Sequence, residues 1–210
     1  MMPISIDESK QFIEEVIFSY QSQLSTGNIP DLAHRVKLLE KKKRSLTFHR
    51  KPKSVPVSVK ISEILIKASS HGDFYKDREN YLSLIEKCCA ASPWTVGYEA
   101  EDETFYRNFG FAEFIGPEGV FHSEEFSCGF VAMGENMVYP EHSHPAVELY
   151  EVISGPLEWR IDRNSWFLAK QGQLIHHNKK QLHAMKTREL PFLGIYTWIG
   201  DIHSPSVMKE

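Results

Sequence analysis

In the N-terminal part of the chain, apolar residues recur at helical spacing. Ser5-Ile6-Asp7-Glu8 has the form of a capping box, a hydroxyl with an acid three residues on. Ile13, Val16, Ile17, Tyr20 and Leu24 then share a face, and Gly27-Asn28 supplies a stop. Pro30-Asp31 precedes a second run, with Leu32, Val36 and Leu39 on one side. A third run carries Ile61, Ile64, Leu65 and Ala68 and ends near Gly72; a fourth carries Tyr81, Leu84, Ile85 and Cys88 and ends before Pro93. Each stripe is about as wide as one buried face, so these helices are expected to pack against the rest of the protein.

From Trp94 onward the texture changes. Short runs rich in β-branched and aromatic residues are punctuated by glycines, and Val147–Ile153, Leu157–Ile161 and Phe192–Trp198 read as strands with turn signals between them. Many short strands at regular spacing predict a barrel or sandwich. The expected organisation is a helical N-terminal extension over residues 1–93 and a strand-rich part over 94–210, together forming one unit.

Composition narrows the function classes. The 210 residues are 41% hydrophobic and 25% charged with a net charge of −4, which does not favour nucleic acid as a partner. The basic run Lys41-Lys42-Lys43-Arg44 reads as a favourable helix C-terminus rather than an anion site. No apolar run is long enough to span a bilayer, and the N-terminus lacks the form of a signal peptide. Cys88, Cys89 and Cys128 make a poor disulfide framework, so reduced thiols and a cytoplasmic protein are expected.

The chemistry concentrates in the strand-rich part, where His142, His144, His176, His177 and His183 cluster. On an extended strand alternate residues face one side, so His142 and His144 can meet at one point; Glu148 and Tyr150 share their parity. Two imidazoles and a carboxylate suit a borderline divalent ion such as Fe, Mn, Zn, Ni or Co.

His142-x-His144-x3-Glu148-x6-Gly155 resembles the first cupin motif. The separation of Gly172 from His183 resembles that of the second, although Asn178, Lys180 and Thr187 replace its proline, second glycine and final asparagine. This resemblance implies a mainly β fold with α, a cupin double-stranded β-helix (jelly-roll) barrel behind the helical extension. It selects His183 over His176 and His177 as the fourth ligand beside His142, His144 and Glu148. Longer strings are more discriminating: Tyr139-Pro140-Glu141-His142-Ser143-His144-Pro145-Ala146-Val147-Glu148-Leu149-Tyr150, His183-Ala184-Met185-Lys186-Thr187, and the segment from Pro191 to Asp201. These resemble the cupin-type dimethylsulfoniopropionate lyases, which release dimethyl sulfide and acrylate.

That resemblance implies a metal-dependent carbon–sulfur lyase working by β-elimination on a small zwitterion, with one divalent transition metal ion and Tyr150 as base. Tyr139 and Tyr196 correspond to family tyrosines near the substrate. Trp198, Trp159, Tyr139 and Phe130 are candidates to receive the cationic end on aromatic faces, Trp198 and Tyr139 at positions the family pattern supports. Cupins often pair through barrel edges, so a homodimer is a further expectation. Other cupin chemistries, an iron oxygenase or a sugar isomerase, and a non-enzymatic metabolite-binding role use similar folds and remain open at this point.

Overall fold

The structure, a computed structural model, describes residues 3–27, 29–98 and 102–209; Asn28 of the first helix stop lies outside them. Five helices occur among the described residues: α1 (Ile6–Gln21), α2 (Leu32–Lys43), α3 (Ile61–His71), α4 (Glu79–Ala91) and α5 (Glu103–Asn108). Ser5 and Glu8 close the capping box, each side chain meeting the other's backbone N–H. Leu24 departs from the expected stripe: it falls in a separate 3-10 turn after α1 and is exposed. The basic run occupies the last turn of α2, where Lys41 pairs with Glu125 and Lys43 with Glu14. Helix α5 stands inside the stretch read as strands; Asp102 caps it by accepting a hydrogen bond from Thr104 N.

The strands are β1 (Phe109–Gly116), β2 (Phe121–His122), β3 (Phe126–Met133), β4 (Val138–Ser143), β5 (Val147–Val152), β6 (Leu157–Ile161), β7 (Phe167–Ala169), β8 (Leu174–His177), β9 (His183–Lys186), β10 (Phe192–Ile199) and β11 (Val207–Met208). They form a six-stranded sheet in the order β2-β1-β3-β10-β5-β8 and a five-stranded sheet in the order β11-β4-β9-β6-β7. Nearly all pairings are antiparallel, the exception being β1 with β2. The fold is mainly β with helices, a double-stranded β-helix of the cupin kind.

The helices cover one face of the larger sheet. Phe12 on α1 meets Phe114 on β1 and Phe130 on β3, with ring centroids 5.2 and 5.6 Å apart. This explains why β3 is buried at every position: it has sheet neighbours on both edges, helices on one face and the barrel interior on the other. Arg35 reaches from α2 to the same sheet, donating to Thr197 O at 2.6 Å and to Val147 O at 3.0 Å. It thereby pins β10 to the start of β5. The opposite face of that sheet carries the residues of interest.

Candidate metal centre and its cavity

Strand parity does most of the positioning. On β5, Glu148 and Tyr150 point inward, and their partners on β10 are Trp198 and Tyr196. On the other side of β5, Glu148 pairs with His177 of β8. Across the barrel, His142 of β4 pairs with His183 of β9. The departures from the second cupin motif have local solutions. Lys180 stands where the motif has glycine and adopts φ 59°, donating its N–H to His144 O at 2.8 Å. Thr187 stands where the motif has asparagine, and its hydroxyl donates to Gly134 O at 2.6 Å and accepts from Met137 N at 2.9 Å.

His144, Glu148 and His183 each bring one ligand atom within 4.8 Å of the others, all three residues being buried. His142 stands beside this group: its ring lies 4.0 Å from that of His183 and stacks on Tyr139 at 3.8 Å. Each of the three candidate histidine ligands turns Nδ1 toward a backbone carbonyl: His142 to Pro140 at 2.8 Å, His144 to Ala146 at 3.0 Å and His183 to Gln181 at 3.0 Å. A carbonyl can only accept, so Nδ1 carries the proton and Nε2 is left free to bind a metal ion. This outer-shell arrangement orients a metal-binding imidazole.

Two contacts show that the group suits a cation. His144 Nε2 lies 3.1 Å from Glu148 Oε2, and His183 Nε2 lies 3.2 Å from the same oxygen. Yet His183 Nε2 is buried with no hydrogen-bond partner. A lone pair facing a carboxylate needs a proton or a metal ion between them. Nitrogen and carboxylate donors in this mix fit a divalent transition ion.

The electrostatics agree. Burial works against ionisation of Glu148, yet His144, together with the hydrogen bond from His177, holds its carboxyl well below the usual range. Burial would lower His144, but the Glu148 carboxylate raises it. His142 is held neutral by burial and by His183.

His177, set aside by the motif spacing in favour of His183, joins the cluster from β8. Its Nδ1 lies 2.9 Å from Glu148 Oε2, while its Nε2 accepts a hydrogen bond from Trp159 Nε1 at 3.0 Å. Indole only donates, so the tautomer is fixed and His177 donates to Glu148. Burial and His183 push its pKa down to about 3, which keeps it neutral. Alternation along β8 puts His176 and His177 on opposite faces, and the pairing with β5 decides that His177 faces Glu148.

Beside the cluster opens a cavity of about 190 Å³. Tyr139, His142, His144, Glu148, Tyr150, Tyr196 and Trp198 all line it. Trp198 also donates from Nε1 to Glu148 Oε1 at 2.7 Å. Burial and the Glu148 carboxylate push the Tyr150 phenol well above its ordinary range; a nearby dication acts in the opposite sense. Tyr139 shares a hydrogen bond with Tyr98, and residues 202–206 form a strap along the rim. Trp159 is fully buried behind His177 and does not line this cavity. Phe130 packs on the helical side, against Phe12 and Trp94.

Comparison with known proteins places this geometry. Residues 30–194 match the family model for dimethylsulfoniopropionate lyase. The chain is similar to dimethylsulfoniopropionate lyase DddQ of Ruegeria pomeroyi, 27% identical over 121 residues, covering 57% of this chain and 60% of that protein. It is also similar to putative dimethylsulfoniopropionate lyase DddL of Cereibacter sphaeroides, 31% identical over 109 residues, covering 51% of this chain and 45% of that protein. The matches thus span about half the length of these curated relatives. The crystal structure of the Ruegeria pomeroyi DddQ superposes with a TM-score of 0.71 at 23% identity, covering 91% of this chain and 96% of that one, which establishes a shared fold. Among the described residues no helix is long and apolar enough to cross a membrane.

Proposed function

The chain belongs to the dimethylsulfoniopropionate lyase family, and on that premise we propose that it cleaves dimethylsulfoniopropionate to dimethyl sulfide and acrylate by β-elimination. Residues 94–210 form the catalytic barrel in this reading, and residues 1–93 form the helical extension that braces it. His142, His144, Glu148 and His183 would hold one divalent transition metal ion. When bound, such an ion supplies Lewis-acid stabilisation of charge developing on the substrate carboxylate.

The chain's own residues carry the rest. The proton to be removed is weakly acidic, because the adjacent carboxylate is already anionic. Tyr150 projects into the cavity two residues beyond Glu148 on the same inward face. As phenolate it takes the proton from the carbon next to the carboxylate. The carbon–sulfur bond breaks, its electron pair leaves with sulfur as dimethyl sulfide, and the new double bond completes acrylate. Tyr139, Tyr196 and Trp198 line the space for the substrate, and burial around the cluster excludes bulk water.

The observation that carries the proposal is the convergence on Glu148 of ligating nitrogens whose opposite ring nitrogens are tied to backbone carbonyls, beside a cavity lined by Tyr150. The test is headspace dimethyl sulfide from protein reconstituted with each of Fe, Mn, Zn, Ni and Co, with and without chelator. Chelator-sensitive release with equimolar acrylate is expected. Absence of release with every metal would defeat the lyase assignment.

A further inference from the structure

The metal cluster anchors only one part of the cavity. The far side of its floor belongs to β1, where Phe109, Phe111 and Glu113 face inward while Ala112 and Phe114 are buried toward the helices. Glu113 pairs with Gly129, Gly129 with Tyr196, and Tyr196 with Tyr150, so these residues form one row across four neighbouring strands. At roughly 4.8 Å per strand, Glu113 sits about 10 Å of backbone from Tyr196. A Cβ at Gly129 would come 2.0 Å from Ala112 O, so glycine is what lets β3 approach the backbone of β1 this closely beside Glu113. The pairing of β1 shifts just after Glu113, a bulge of the kind that re-aims side chains beside active sites.

The Glu113 carboxylate accepts from Glu118 N at 2.7 Å and from Ser127 Oγ at 3.2 Å. Two donors leave part of its accepting capacity free. It shares the cavity with Phe111, Val131, Tyr196 and Trp198, and with His203 of the strap. Among the described residues no lysine or arginine pairs with it, and burial raises its pKa. An ionised carboxylate in such surroundings gains from a positively charged ligand.

We propose that Glu113 forms the cation subsite of this cavity, receiving the onium end (sulfonium or quaternary ammonium) of a zwitterion between its carboxylate and the faces of Phe111, Tyr196 and Trp198. The inference rests on the lyase reading for the identity of the substrate, whose carboxylate end then lies at the histidine–glutamate cluster. It carries a kinetic signature. The positive charge on sulfur is discharged as the carbon–sulfur bond breaks, so Glu113 stabilises the bound substrate more than the transition state. Removing its charge therefore weakens substrate binding without slowing the chemical step.

The test compares Glu113→Gln, which keeps the shape and an accepting oxygen, with the unaltered enzyme. Two inhibitors serve as probes: 3-(trimethylammonio)propionate, which keeps the charge, and 3-(methylthio)propionate, which lacks it. The KM for dimethylsulfoniopropionate and the inhibition constant of the ammonium compound should each rise about tenfold or more, while the thioether constant holds and kcat does not fall. Equal changes for the charged and neutral probes, or a fall in kcat alone, would overturn the inference. If the unaltered protein releases no dimethyl sulfide, the lyase reading fails, but calorimetric binding of the two probes still decides the subsite. Charge-selective binding lost in Glu113→Gln supports it, and no selectivity, or no binding, defeats it.

Discussion

Strand β5 carries two buried glutamates three positions apart, and they live in opposite chemical worlds. Glu148 faces the cavity with His144, His177 and His183 around one oxygen and the Trp198 indole on the other. Glu151 faces the helices and accepts from Tyr75 OH at 2.9 Å and Tyr81 OH at 3.1 Å. Their exposures are 2% and 1%, so burial does not distinguish them. Yet Glu148 is held well below the usual carboxylate range, and burial raises Glu151 from its ordinary value. The difference lies in what the partners can become. Imidazoles can carry positive charge or share a metal ion, whereas tyrosine hydroxyls can only donate neutral hydrogen bonds. One face of the strand is built for charge and the other for docking.

The sharpest way to break that contrast is to remove a ligand from the charged face. His183→Ala should abolish metal loading and reduce dimethyl sulfide release to background, with far-UV circular dichroism unchanged. Full metal stoichiometry in this variant, by elemental analysis, would remove His183 from the ligand set. Next in size is Tyr150→Phe, which keeps the ring but not the base. Its metal content should match the unaltered protein while kcat falls by about 10²–10⁴-fold, the usual worth of a positioned base. Turnover close to normal would exclude Tyr150 from proton abstraction.

A smaller effect is expected one layer out. His177→Leu removes the neutral donor that steadies Glu148 while leaving the His144 and His183 side chains themselves unchanged, and should weaken metal affinity about 10–100-fold. Competition with a fluorescent chelator measures this directly. Unchanged affinity would make His177 a packing residue, whose stacking on His183 at 3.8 Å is its main contact.

The two faces also differ in how far they could be read from sequence. His144, Glu148 and Tyr150 follow from spacing and parity along one stretch, and β6 and β10 from short β-branched and aromatic runs bounded by turns. Helices α1 to α4 announce themselves by period and stop signals. Helix α5 does not, because its six residues bury only Phe105 and are too few to show a period. His177 against His176 is a question about which face β8 presents, answered by its pairing with β5 nearly thirty residues earlier. Glu113 is harder still, since its inward direction depends on the register of β1 against β3 and on the bulge that follows. Phe130 is a candidate aromatic face by residue type alone, and its parity on β3 turns it toward α1 and into the core. Trp159, a candidate to receive the cationic end, spends its indole on His177 instead. In each case the missing knowledge is long-range pairing, which local pattern does not encode.

The smallest predicted effect concerns the docking face, and it reverses the usual expectation for deleting a buried charge. Burial raises Glu151 above its ordinary pKa, with Ser19, Tyr75 and Tyr81 opposing that shift only in part. Between the unfolded and folded pKa values the native state holds a proton that the unfolded chain has released. Stability therefore falls as pH rises through that window, and it is fully present below the unfolded value. Glu151→Gln mimics the protonated form and does not titrate. Urea midpoints at pH 5 and pH 8 should show a smaller loss in the variant than in the unaltered protein, with metal content and turnover unchanged in both. Parallel losses would mean that Glu151 is ionised in its tyrosine nest, and the two glutamates of β5 would then differ in neighbours but not in charge.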